Sequence, residues 1–210
     1  MGVVDQVGDG VTDFAVGDEV LGTSLTPAYA QAAVADAGAG ALVAKPPAIP
    51  WEVAGALAVS GGTAWTVLER LKAVQGETLL IHAASGGVGT FAAQLAVARG
   101  ARVIGTASQA NHERLRELGV LPVGHGEDLA GQVRAIAHEG VDAVLDASGR
   151  GEIPLSIELA GGPERVLTLV AFDAAPLGIQ VHTDGPSGNG VRALHDILLL
   201  IGKGRLQVPV

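Results

Sequence analysis

At 210 residues, with apolar side chains making up 48% and charged ones 17%, the chain has ample material for a buried core and is not a disordered segment. A formal net charge of -9 with no Lys/Arg cluster excludes the electrostatic footprint of a nucleic-acid or anionic-membrane binder and favours a small-molecule partner. The lack of any cysteine excludes a disulfide framework, a thiolate nucleophile and a cysteine-bound metal in this chain, and with neither a secretory signal nor a run of roughly 18 apolar residues the expected location is the cytoplasm.

Residues 1–47 alternate short Val-rich runs with turn signals: Gly2-Val3-Val4, Gly8-Asp9-Gly10, Gly17-Asp18-Glu19-Val20-Leu21 and Tyr29 to Val34. This predicts an irregular, β-rich region. Lys45-Pro46-Pro47 ends it, since consecutive prolines remove backbone donors, and the boundary is placed near residue 50. From Trp51 the spacing turns helical, with a second helical run from Thr63 to Leu71. Then βα alternation begins. Strands are predicted at 78–82, 102–106, 121–123, 141–146 and 165–170, with an edge strand at Gly178 to His182. The helices between and after them are 88–99, 111–118 with Asn111 at the N-cap, 129–138, 153–159 and 191–201. Such alternation implies an α/β fold with a parallel, doubly wound sheet over 51–210, joined to an incomplete β-rich region over 1–50.

The sharpest feature is His82-Ala83-Ala84-Ser85-Gly86-Gly87-Val88-Gly89, where a strand turns into a helix. Ala84, Gly86 and Gly89 take the three positions of a G-x-G-x-x-G fingerprint, with Ala at the first. A missing Cβ at Gly86 lets a pyrophosphate approach the backbone, Gly89 lets helix and strand pack closely, and the helix N-terminus offers free N–H groups to an anion. About 20 residues on, the next strand ends at Thr106-Ala107-Ser108-Gln109 without the acidic side chain that would bind the ribose hydroxyls of NADH. With Asn111, His112 and Arg114 close behind, the preferred cofactor is NADPH, NADH being possible. The alternative is an ordinary solvated helix start with Arg114 pointing away.

These residues, with Gly2-Val3-Val4, Val16-Gly17-Asp18-Glu19-Val20 and Ser60-Gly61-Gly62-Thr63-Ala64-Trp65, resemble the zinc-independent medium-chain dehydrogenase/reductases typified by quinone oxidoreductase, enoyl reductases among them. The resemblance implies a GroES-like catalytic domain joined to a Rossmann domain, with NAD(P)H in the cleft between them. It further implies hydride reduction of a quinone or an α,β-unsaturated carbonyl. It places Thr63 beside the nicotinamide, Ala84, Ser85, Gly86, Gly87, Val88 and Gly89 under the pyrophosphate, Ser108 and Arg114 near the adenosine ribose or its phosphate, and Asp146 to Gly149 at the next strand end. The alternative for Thr63 is a helix cap, and for Asp146 the satisfaction of loop amides. Two departures weigh against NADPH: Asn111 or His112 stands where many relatives carry a phosphate-binding Lys, and the Gly124-His125-Gly126 region replaces an expected Tyr. The β-rich domain is incomplete at both sides, so no catalytic residue is assigned. Tyr29, the only tyrosine, is read as a packed strand residue rather than a proton donor. None of the histidines at 82, 112, 125, 138, 182 and 195 has metal-site spacing, and no metal is expected.

Three functions follow as expectations. The first is an NADPH-dependent quinone or enone reductase acting on a small electrophilic substrate. The second is an inactive nucleotide-binding regulatory or interaction protein, and the third is an enoyl-reductase module of a polyketide or fatty-acid synthase. A homodimer through Gly178 to His182 is expected, because an exposed sheet edge invites pairing.

Overall fold

The computed structural model describes residues 1–38, 41–183 and 190–208. The chain divides into two compact units, Met1–Thr66 with Gly185–Val210, and Val67–Asp184.

In the first unit, β1 (Gly2–Val3), β2 (Glu19–Gly22) and β3 (Leu42–Ala44) form an antiparallel sheet in the order β1-β2-β3. Helix α1 (Trp51–Ala56) follows, then a π-helical turn (Leu57–Gly61) that leads into α2 (Gly62–Leu71). Lys45 anchors the junction between sheet and helix. Its buried Nζ lies 2.8 Å from Glu19 Oε2, donates to the carbonyl of Ile49 at 2.8 Å and sits 4.7 Å over the Trp51 ring. A buried cation with this many partners is a lock rather than a liability.

Two expectations fail here. Tyr29 to Val34 forms no strand, and Tyr29 is fully exposed, neither packed nor hydrogen-bonded among the described residues. The segment is closed by Leu25 N–H donating to the Val34 carbonyl at 2.7 Å and Val34 N–H donating to Thr26 Oγ1 at 3.0 Å. This local loop uses the groups that a ladder would need. Second, the last helix, α7 (Gly190–Gly202), belongs to this unit rather than to the Rossmann unit. It packs on β2, β3 and the π-turn, and its Asp196 accepts the Trp65 indole N–H at 2.9 Å. The compact units therefore part at residue 66 and not near residue 50.

The second unit is the doubly wound one. Its strands are β4 (Thr78–His82), β5 (Arg102–Thr106), β6 (Leu121–Val123), β7 (Ala143–Asp146), β8 (Val166–Thr168) and β9 (Gln180–Val181). They lie in the order β6-β5-β4-β7-β8-β9 with every pair parallel. The crossovers are α3 (Gly87–Ala98), α4 (His112–Glu117), α5 (Leu129–Ile136), α6 (Ile153–Ala160) and a 3-10 turn (Phe172–Leu177). The order reverses direction beside β4, which creates the topological switch point of such sheets at the C-terminal ends of β4 and β7.

The apolar runs Leu79-Leu80-Ile81 and Ala143-Val144-Leu145 are buried on both faces, as a parallel sheet covered by helices requires. Leu80, Ile104, Val144 and Val166 meet Leu129 and Val133 of α5 and Ile153 and Leu159 of α6 in one core. Each such side chain contributes roughly 1.5–3 kcal/mol by leaving water. At the opposite end of the sheet Arg165 grips Glu77 through two bonds of 2.7 and 2.8 Å and donates to the carbonyl of Leu71. No helix among the described residues is long and apolar enough to cross a membrane.

Candidate functional site

The site is built at the end of β4. Ala83 turns into the left-handed region, φ 58°, which side chains rarely adopt. Its N–H donates to Thr106 Oγ1 and the Ala84 N–H donates to the Thr106 carbonyl, both at 3.0 Å. Gly86 N–H then closes on the Ala83 carbonyl at 2.9 Å, and α3 begins with Gly86 as its N-cap and no side chain capping it. The first amides of α3, at Gly87, Val88 and Gly89, have no carbonyl within the helix to accept them, and with the helix dipole they offer donors to an anion.

The small residues of the turn divide by function. A Cβ on Gly89 would lie 2.2 Å from the Ala83 carbonyl oxygen and 2.9 Å from Ala84 Cα, so this glycine sets helix-to-strand contact. A Cβ on Gly86 would meet only the Ala83 carbonyl, at 3.3 Å, and Gly86 and Gly87 are exposed. That glycine leaves the amide face open. Ala84, in place of the fingerprint's first glycine, is fully buried, and a Cβ on Gly105 would lie 2.6 Å from the Ala84 methyl. The glycine has moved to the neighbouring strand. Gly105 was not singled out in the sequence, although a glycine inside a strand is the signal of such a close approach. Ser85 and Val88 are partly exposed, and the Ser85 hydroxyl has no hydrogen bond among the described residues.

At the end of β5, Thr106 is fully buried and engaged with the turn, so it offers nothing to a ligand. His112 is buried too, its Nε2 3.2 Å from the Ala107 carbonyl. Ser108 and Arg114 are exposed; Ser108 Oγ accepts from Asn111 Nδ2 at 3.0 Å, and Arg114 has no ion pair among the described residues. Asn111 stands at the N-cap position of α4 but makes no capping bond, because its side chain goes to Ser108 instead. Thr63 lies in the first turn of α2, partly exposed, with no hydroxyl hydrogen bond among the described residues. Since the π-turn runs directly into α2, Thr63 caps nothing.

Asp146, at the end of β7, is 1% exposed and satisfies its own loop. Oδ1 accepts from the N–H of Ser148 at 2.9 Å and of Gly149 at 3.3 Å, and Oδ2 accepts from Thr168 Oγ1 at 2.8 Å. Beside it in register lies His82, buried, with Nε2 2.9 Å from Ser156 Oγ and Nδ1 3.6 Å from Glu152 Oε2. Burial pushes the His82 imidazole below its ordinary pKa, the charges of Glu152 and Asp146 pull it upward, and His125 adds to the drop.

A six-stranded parallel sheet with a glycine turn opening a helix at its switch point defines a doubly wound α/β protein of the Rossmann type. The Zinc-binding dehydrogenase family matches residues 87–169. The chain is similar to the polyketide synthase GfsB of Streptomyces halstedii, 40% identical over 159 residues, 75% of this chain and 3% of that one. It is 34% identical over 171 residues to the human synaptic vesicle membrane protein VAT-1 homolog, covering 80% of this chain and 43% of that one. Among solved structures, Escherichia coli quinone oxidoreductase complexed with NADPH superimposes with a TM-score of 0.80 at 27% identity, covering 100% of this chain and 71% of that one. In sequence and fold the chain is similar to the medium-chain dehydrogenase/reductases, quinone oxidoreductases among them. It spans less than half the length of the curated relatives it matches, 3% and 43% in these two.

The family's name raises the question of zinc. This chain has no cysteine, and among the described residues no group of three or more His, Asp or Glu side chains could hold a metal. Its donor set does not fit that ion.

Proposed function

We propose that this chain binds NADPH at the Ala84–Gly89 turn and serves the zinc-independent reduction of a quinone or an activated C=C bond. The observation that carries this reading is the open amide face at Gly86 above the uncapped N-terminus of α3, where a Cβ would meet only the Ala83 carbonyl among the described residues. Its shape suits a pyrophosphate. Ser108 and the unpaired Arg114 at the next strand end suit a ribose phosphate, and Thr63, its hydroxyl free, is proposed as a nicotinamide contact. The bound nicotinamide would supply the hydride, and the protein would supply orientation and electrostatics.

Fluorescence titration with NADPH and NADH tests the reading. The parent is expected to bind NADPH more tightly, Gly86→Val to bind neither, and Ser108→Asp to lose NADPH selectively, since a carboxylate there would repel the 2′-phosphate. A parent that binds neither nucleotide overturns it. Turnover assays with a quinone and an enone then separate a reductase from a nucleotide-binding regulatory protein.

A second reading, an enoyl-reductase module of a polyketide synthase, is favoured by the 40% identity to GfsB. Carrier-domain sequence in the same reading frame would support it. We also propose that two copies pair through the edge strand at Gly178 to His182, a reading supported by the position of β9 at the margin of the sheet.

A further inference from the structure

Behind the glycine turn lies a polar chain, buried at His82 and Ser156 and partly exposed at Ser148 and Glu152, whose protons do not add up. Ser148 Oγ is 2.9 Å from Asp146 Oδ1 and 2.6 Å from Glu152 Oε2, yet a serine hydroxyl has one hydrogen for these two acceptors. Ser156 repeats the problem. Its Oγ is 2.8 Å from the Glu152 carbonyl, to which it donates, so the 2.9 Å contact with His82 requires the hydrogen on His82 Nε2. Nδ1 of a neutral ring is then a bare acceptor, fully buried and without a hydrogen-bond partner, facing the Glu152 carboxylate at 3.6 Å. Two opposed acceptors, one of them fully buried, cost free energy that one proton would remove.

We propose that His82 and Glu152, joined through Ser148 and Ser156, form a single proton-binding site that fills when an anion docks on the adjoining glycine turn. The inference rests on the pyrophosphate reading of that turn. One proton on Nδ1 turns the opposition into a charge-assisted donor-acceptor pair, and one on Glu152 supplies the hydrogen that Ser148 lacks. The groups facing His82 are Glu152 and Asp146, which favour the proton, and His125, which opposes it. Burial holds the proton off in the free chain. His82 is the residue immediately before the turn, and negative charge brought there shifts the balance toward uptake.

The experiment is calorimetric titration of NADPH into the full chain near neutral pH, in buffers of different ionisation enthalpy. The expected result is net proton uptake in the parent that is lost in His82→Gln and Glu152→Gln. The 2′-phosphate of NADPH contributes equally to all three and cancels. Should His82→Gln not fold, Ser148→Ala breaks the chain at a partly exposed position. Imidazole nitrogen NMR on the free protein gives an independent readout: Glu152→Gln is expected to move the His82 titration. Binding with the same uptake in parent and variants, or a His82 titration indifferent to Glu152→Gln, overturns the proposal. Absence of NADPH binding overturns the cofactor reading instead, together with the anion linkage, while the NMR arm still decides whether the pair titrates as one.

Discussion

Thr106 accepts the Ala83 N–H on its hydroxyl at 3.0 Å, so the end of β5 holds the left-handed residue at which β4 turns into the glycine loop. Its carbonyl takes the next amide, that of Ala84. Thr106→Val keeps the shape and removes the acceptor, leaving the Ala83 N–H unpaired at a cost of about 1–3 kcal/mol. Urea unfolding should show that loss in Thr106→Val and little in Thr106→Ser. Equal stability of parent and Val variant would mean that the turn stands without this bond.

Gly86 and Gly89 are expected to respond unequally to the same methyl group. At Gly89 it would strike main chain at 2.2 Å, so the strand and helix must part, and Gly89→Ala should lose about 1–3 kcal/mol or more in thermal or urea unfolding. At Gly86, φ -77°, a methyl would meet only the Ala83 carbonyl, at 3.3 Å, a contact relieved by a shift of a few tenths of an ångström, so Gly86→Ala should cost less than Gly89→Ala while weakening nucleotide binding. A Gly86→Ala variant that unfolds early would give both glycines a packing role.

The Arg165 bonds hold the Glu77 carboxyl below its ordinary pKa of 4.5. A carboxylate whose folded pKa is depressed binds fewer protons when folded than unfolded. Its stabilising contribution is therefore full above the unfolded value and lost as pH falls through the folded one. In urea unfolding, the stability difference between parent and Glu77→Gln should persist at pH 7 and shrink as pH falls below 4.5. Both partners are partly exposed, so the coupling energy in a double-mutant cycle with Arg165→Met should be about 1 kcal/mol. A difference that does not vary with pH would remove the ion pair as its cause.

The edge strand offers a sharper test of self-association than its midpoint suggests. His182 N–H donates inward to the Thr168 carbonyl, and backbone groups alternate along a strand. The Gln180 N–H therefore also points into the sheet, whereas that of Val181 points to the open edge. Arg70 already takes the Val181 carbonyl at 3.3 Å. Val181→Pro removes the outward donor alone and should shift a dimer to monomer in sedimentation or light scattering. Gln180→Pro would also break the bond to β8. An unchanged dimer in Val181→Pro would move the interface elsewhere.

Much of this architecture was legible in the sequence because the parallel sheet announces itself in short apolar runs, and the turn in the spacing of Ala84, Gly86 and Gly89. What could not be read depends on partners distant in the chain. Nothing local to Thr106 shows that its hydroxyl meets Ala83. His112, grouped with Asn111 and Arg114 behind the strand end in favour of NADPH, is turned inward to the Ala107 carbonyl. The alternation over Tyr29 to Val34 suggested a strand, but alternation supplies no neighbour, and its backbone bonds locally. The helical pattern over 191–201 did not tell which sheet α7 would pack on.

The doubly wound unit, Val67–Asp184, is one uninterrupted stretch, while the other unit is assembled from Met1–Thr66 and Gly185–Val210. Translation runs from the N-terminus, so every strand of the parallel sheet is synthesised before α7. Until then β2 and β3 lack the helix that packs on them. Nascent chains of this protein thus carry an unfinished antiparallel sheet until α7 is made. That interval is when exposed strands are open to mispairing and to chaperone capture.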